Sequence, residues 1–194
     1  MNRESFLKIL YSLPILFSAT TASAIIKTDI SAGTYLDQIF ENLLKNGYGF
    51  SNQHRKENPQ VVFVIDTQCP WCTKLIQAIK PLLNQIKVVW YPVAVLNDDS
   101  VTQGALILSA SNPWKKLLQH EQLFKSKEHR GLPINDLVVS KENRQKVWNN
   151  SKIFRRAGGI VVPLGVFKDP SGKFIPIHSG ITTDELRTIF QLKQ

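Results

Sequence analysis

Apolar residues first recur at helical spacing along this chain, then close up into an unbroken run. Leu36, Ile39, Phe40, Leu43 and Leu44 return every three or four positions, which marks one buried helix face across 35–44. Asn46-Gly47 supplies the stop signal. The polar stretch 51–59 reads as a loop. Val61 to Ile65 is continuously β-branched and aromatic, the pattern of a strand covered on both faces. After the turn Asp66-Thr67-Gln68, a helix is predicted from about Cys69 through Ile86. Pro70 sits in its first turn, where a missing N–H costs nothing, and Pro81 should kink it. Val88 to Val95 reads as a second strand, and Pro92 argues for an edge or a bulge there.

The pattern changes between Asp98 and Gly158. Apart from the short run Leu137-Val-Val139, no strand is evident. Val101 to Ser109 reads as helix. Asn112 is placed to cap another, with Pro113 at its first position and Trp114, Leu117, Leu118 and Leu123 on its faces. Ser140 is placed to cap a third that reaches Ala157, with Gly158 as the stop. Strand signals then resume. Ile160 to Lys168, containing Pro163, pairs through the turn Asp169-Pro-Ser-Gly172 with Phe174 to His178. Thr182-Thr-Asp-Glu185 has the form of a capping box ahead of a last amphipathic helix.

The first residues change the picture of where this chain works. Arg3 and Lys8, the apolar run Ile9 to Phe17 and Ala22-Ser23-Ala24 have the form of an export signal. The expected organisation is therefore a signal peptide at 1–24, a short extension at 25–60 and one domain at 61–194, with a helical insertion at about 98–158. The processed chain is expected to carry no membrane span and to enter an oxidising compartment. Its charge of +9 is spread along the sequence. Nothing alternates basic and aromatic residues in a nucleic-acid motif, so the reading is a solvated basic surface, with an acidic client or partner surface as the alternative. No phosphate-binding loop or nucleophile elbow appears.

The two cysteines stand alone, in Cys69-Pro70-Trp71-Cys72, at the strand-to-helix turn. A Cys-x-x-Cys pair in a strand–helix–strand context is the thioredoxin-like redox arrangement. A helix N-terminus favours the Cys69 thiolate, and thiolate is the nucleophile. Cys72 lies one turn deeper, placed to form the internal disulfide. Trp71 offers an exposed ring to an apolar client. Val162-Pro163 is expected to be a cis peptide facing the redox pair, with the backbone before it pairing with extended client polypeptide. A purely structural bridge is the alternative, although so short a loop gains little chain-entropy stabilisation. A zinc site needs four ligands, and His54, His120, His129 and His178 show no close pairing in sequence, so no metal is expected.

Over about Val61 to Phe190 the chain resembles the periplasmic DsbC/DsbG disulfide isomerases, and the DsbG branch most closely. The resemblance rests on Cys69 to Cys72, Pro81 nine residues after the second cysteine, and the helical insertion with Ala110-Ser-Asn-Pro-Trp-Lys-Lys and Ser140-Lys-Glu-Asn. Val162-Pro163 and the Gly180 turn complete it. It implies an α/β thioredoxin-like fold with a helical insertion between the second strand and the cis-proline strand. It also implies that Cys69 attacks, Cys72 resolves, and Pro70, Trp71, Val162 and Pro163 meet the substrate. No cofactor beyond the Cys69–Cys72 pair is implied. The expected partners are exported proteins with cysteines and a membrane redox partner of the DsbD type. Two features depart from the family pattern. Residues 25–60 are too short for its N-terminal dimerisation domain, which leaves the dimer open. Val162 stands where the family usually has Thr, as in the DsbA oxidases. The expected activity is periplasmic disulfide reduction or isomerisation, with a DsbA-like donor as the near alternative.

Overall fold

The computed structural model describes residues 32–52, 60–125, 130–134 and 139–193. The signal-peptide region 1–24, His54, His129 and most of the Leu137-Val-Val139 run lie outside the described residues. Among these residues five strands form one sheet in the order β1-β3-β2-β4-β5. They are β1 (Phe50–Ser51), β2 (Val61–Asp66), β3 (Val88–Val93), β4 (Leu164–Lys168) and β5 (Phe174–Ile177). The β-branched run becomes the central strand. β2 pairs in parallel with β3 and antiparallel with β4, and all six of its residues are buried.

Among the described residues six helices surround the sheet: α1 (Ala32–Asn46), α2 (Pro70–Ile79), α3 (Asp98–Ser109), α4 (Pro113–Phe124), α5 (Lys141–Arg156) and α6 (Thr183–Ile189). Leu36, Ile39, Phe40 and Leu43 of α1 are buried, as their spacing requires. α2 and α6 pack together, while α3 and α5 pack on β3 and on each other. The helical insertion between β3 and β4 is thus α3, α4 and α5. Trp114 of α4 stacks on Trp90 at 5.6 Å, and Trp90 stacks on Phe63 at 4.9 Å, which ties α4 to the centre of the sheet.

The caps explain the boundaries. The Asn112 side chain accepts from Lys115 N–H, and the Ser140 hydroxyl accepts from Asn143 N–H. Thr182 and Glu185 form the full capping box. Gly158, at φ +91°, ends α5 in the left-handed conformation that a side chain would oppose.

Two expectations are corrected, and a third, the edge or bulge at Pro92, is resolved as an edge. α2 does not continue to Ile86: it ends at Ile79, and Pro81 falls in a separate 3-10 turn at Lys80–Leu82, because proline cannot extend the α-helical ladder. Pro92 makes no bulge: it pairs with Ile65 beyond the two residues that β1 covers, so β3 is an edge at that level. The fourth strand begins at Leu164 rather than Ile160. Its pairing with β2 ends at Leu164 opposite Val64, and Ile160 to Pro163 runs as a bent segment.

Candidate active site

β2 ends at Asp66, and α2 starts four residues later. Cys69 is the N-cap residue of α2, with extended backbone (φ −94°, ψ 114°), and Pro70 follows at the first helical position. The turn is closed by Cys69 N–H donating to the Asp66 carbonyl at 3.1 Å, and Cys72 N–H donating to the Cys69 carbonyl at 3.0 Å. Both cysteines are free thiols. The Cys69 side chain therefore stands where Ser or Asp would cap other helices.

The two sulfurs meet very different surroundings. Cys69 keeps only 4% of its surface exposed, more covered than the sequence suggested, yet it is less deeply enclosed than Cys72. Its thiol pKa is lowered to about 7, first by a hydrogen bond from the Cys72 thiol. Burial opposes this, and the backbone N–H groups of Cys72 and Trp71 add to it, while the Asp66 charge works weakly against it. The helix start thus contributes, but the neighbouring thiol contributes more. Burial pushes the Cys72 thiol well above the usual range, and donating to Cys69 pushes it further. Asp66 N–H donates to the Cys72 sulfur at 3.4 Å.

The Val162–Pro163 peptide is cis. The Cys69 thiol donates to the Val162 carbonyl at 3.5 Å, which brings the two motifs together across 93 positions. Pro163 is buried, and Pro70 is exposed. Trp71 is 47% exposed, and Lys74 lies over its ring with Nζ at 4.1 Å from the centroid. Ile160 and Val161 are 72% and 60% exposed, on the approach to Pro163.

A buried polar network behind the pair escaped the sequence reading. Asp66 is fully buried and accepts four hydrogen bonds: from Gln68 N–H (2.8 Å) and the Ser100 hydroxyl (2.6 Å) on one oxygen, and from Val95 N–H (2.8 Å) and Leu96 N–H (3.0 Å) on the other. Gln68 Nε2 donates to Gln103 Oε1 at 2.7 Å, and both amides donate to the Arg130 carbonyl at 3.0 Å. His120, on α4, receives Leu132 N–H on Nδ1 at 3.1 Å, so its proton is on Nε2, which donates to the Thr67 carbonyl at 2.9 Å. Burial lowers the His120 pKa and keeps the ring neutral. Gly131, at φ +95°, lies against that ring: an added Cβ would sit 2.0 Å from it. The local Asp-x-x-Cys spacing was visible in the sequence, but nothing local joined it to residues 100, 103, 120 and 130–132. Among the described residues, no group of three or more His, Cys, Asp or Glu is placed to hold a metal ion. No helix among them is long and apolar enough to cross a membrane.

No protein-family model matches the chain. By sequence it is similar to the thiol:disulfide interchange protein DsbG of Pseudomonas aeruginosa, 23% identical over 138 residues, covering 70% of this chain and 52% of DsbG. It spans about half the length of the curated relative it matches. Among solved structures it is similar to a linker-deletion mutant of Proteus mirabilis ScsC, with TM-score 0.64, 16% identity and 81% of each chain covered. It is also similar to a periplasmic thioredoxin-like protein from Salmonella enterica, with TM-score 0.57, 15% identity, and 79% of this chain and 94% of that one covered. The chain is a thioredoxin-fold protein similar to DsbG. In this chain the Cys-x-x-Cys turn and the cis-proline segment face each other at Cys69 and Val162.

Proposed function

We propose that this chain is a periplasmic thiol:disulfide oxidoreductase that reduces or isomerises disulfides in exported proteins. One observation carries the reading: a sulfur with its pKa lowered to about 7 lies beside the carbonyl of the cis-proline segment, with a second, sheltered thiol hydrogen-bonded to it. Similarity to DsbG supports the reaction class. The export signal at 1–24 and the likeness to a periplasmic protein support the compartment.

The reaction follows from the two environments. The Cys69 thiolate attacks one sulfur of a client disulfide. That S–S bond breaks, a Cys69–client disulfide forms, and the released client thiolate takes up a proton. The Cys69 thiolate cannot donate to the Val162 carbonyl, so that oxygen is free to accept an N–H of an extended client segment. Trp71, Ile160 and Val161 supply apolar contact around it, with Pro70 fixing the turn. A client thiolate then displaces Cys69, which completes isomerisation. Otherwise Cys72 loses its proton and attacks the Cys69 sulfur, which closes the internal disulfide, releases the reduced client and moves two electrons to it. A membrane reductant of the DsbD type would restore the dithiol.

Cys72→Ser should accumulate mixed disulfides with client proteins through Cys69, and Cys69→Ser should accumulate none. If neither variant traps a client, catalysis by this pair is contradicted. A second reading, a DsbA-like donor, is favoured by the lowered Cys69 pKa, since stabilising the thiolate favours the dithiol and makes the disulfide more oxidising. Equilibration with glutathione separates these readings from a structural bridge, whose potential would lie below about −300 mV.

A further inference from the structure

One helix of the insertion carries a dense share of the positive charge. α5 carries Lys141, Arg144, Lys146, Lys152, Arg155 and Arg156 against a single acidic residue, Glu142. Glu142 is bonded to Lys146 at 2.8 Å. From 143 to 168 the chain contains no Asp or Glu. Lys141, Arg144, Trp148, Lys152 and Arg155 follow one another at steps of three and four, so they share a face about 21 Å long. An adjoining face, with Val147, Asn150, Ser151 and Phe154, is buried. At the middle of the basic face, Trp148 is 42% exposed. Among the described residues, Lys141, Arg144, Lys152 and Arg155 make no ion pair.

This face is rigidly mounted. Asn150 donates to the carbonyls of Pro92 and Tyr48 at 2.9 Å and accepts Tyr48 N–H at 2.8 Å. The Ser151 hydroxyl accepts Ala94 N–H at 2.8 Å. The same contacts bring exposed Tyr48 beside α5, with Lys146 over its ring at 5.9 Å.

We propose that the outward face of α5 docks the protein on an anionic phospholipid surface, with Trp148 at the headgroup level and Lys141, Arg144, Lys152 and Arg155 on lipid phosphates. Charge complementarity identifies the occupant. An exposed helix ridge of this length lies flat on a plane of phosphates. Basic residues flanking a single large amphipathic aromatic ring suit an interface with charged headgroups above and acyl chains below. This site is separate from the redox pair, so Cys69→Ser should leave binding unchanged, and either proposal can fail without the other.

Flotation of the purified protein with phosphatidylglycerol–phosphatidylcholine vesicles, against pure phosphatidylcholine vesicles, tests it at low and high salt. The expected result is binding to the anionic vesicles alone, weakened by salt. Lys152→Glu with Arg155→Glu should lower affinity by at least about tenfold. Lys87→Glu with Lys115→Glu, an equal charge change at exposed positions elsewhere, should lower it by less than about threefold. Trp148→Phe should abolish the blue shift of tryptophan emission on the vesicles. Equal losses from the two charge-reversal pairs would mean diffuse attraction and overturn the proposal. So would binding to soluble polyglutamate without binding to vesicles, which would point to an acidic protein surface instead.

Discussion

The rim above Cys69 and the interior behind Cys72 are built on opposite principles, though the two sulfurs share one turn of helix. The rim exposes apolar side chains: Trp71, Ile160 and Val161. The interior is polar and closed, with Asp66 accepting from four donors and Gln68, Gln103 and His120 bonded to backbone carbonyls and amides. Apolar groups facing water and polar groups facing inward reverse the usual arrangement of a fold. The inversion is tolerable inside because the side chains of Asp66, Gln68, Gln103 and His120 are paired, with the buried Thr67 hydroxyl left without a partner, and outside because a client can cover the rim. The difference teaches that the sequence spends polar side chains on holding the turn and apolar ones on meeting the substrate.

The largest effect should come from the closed side. Asp66→Ala leaves the N–H groups of Gln68, Val95 and Leu96 and the Ser100 hydroxyl without their acceptor, and should cost about 3–5 kcal/mol in urea unfolding. A loss below about 1 kcal/mol would mean that the network does not hold the turn.

A smaller effect separates the two sulfurs through pH. A thiol whose folded pKa is lowered to about 7, against an unfolded value near 8.5–9, contributes stability that is fully present above the unfolded value and lost as pH falls through about 7. The reduced protein should therefore lose stability relative to the disulfide form between pH 8.5 and pH 6, by about 1 kcal/mol after allowance for solvent screening. Cys72, with its pKa raised, contributes in the opposite sense only above the ordinary thiol range, outside that window. Paired denaturation curves of the two redox forms check this, and no pH dependence in their difference would count against it.

The smallest effect belongs to the open side. Trp71→Ala should slow reduction of a protein disulfide about fivefold to tenfold through lost apolar contact. Its rate with a small disulfide should be nearly unchanged. Equal losses with both substrates would show that Trp71 shapes the sulfur rather than docking the client.

Much of this contrast was local and therefore legible. The unbroken run Val61 to Ile65 announced a central strand, and Pro70, Asn112, Ser140 and Thr182 marked helix starts by chemistry that acts within three residues. The redox tetrapeptide and Pro163 were visible for the same reason. What was hidden depends on distance along the chain. Asp66 meets Ser100 across 34 positions, and His120 meets Thr67 across 53, so no window of sequence contains either pair. Ile160 and Val161 look like strand residues, but the register of β4 on β2 stops at Leu164 and leaves them outside the sheet. Cys69 was expected to owe its acidity to the helix end, whereas the Cys72 thiol contributes most.

The most direct test titrates Cys69 in the reduced protein, by thiolate absorbance or alkylation rate, beside Cys72→Ala. The account predicts a midpoint near pH 7 that moves up toward the ordinary thiol range when the Cys72 hydrogen bond is removed. A midpoint already at the ordinary value, or one that the substitution leaves in place, would contradict it.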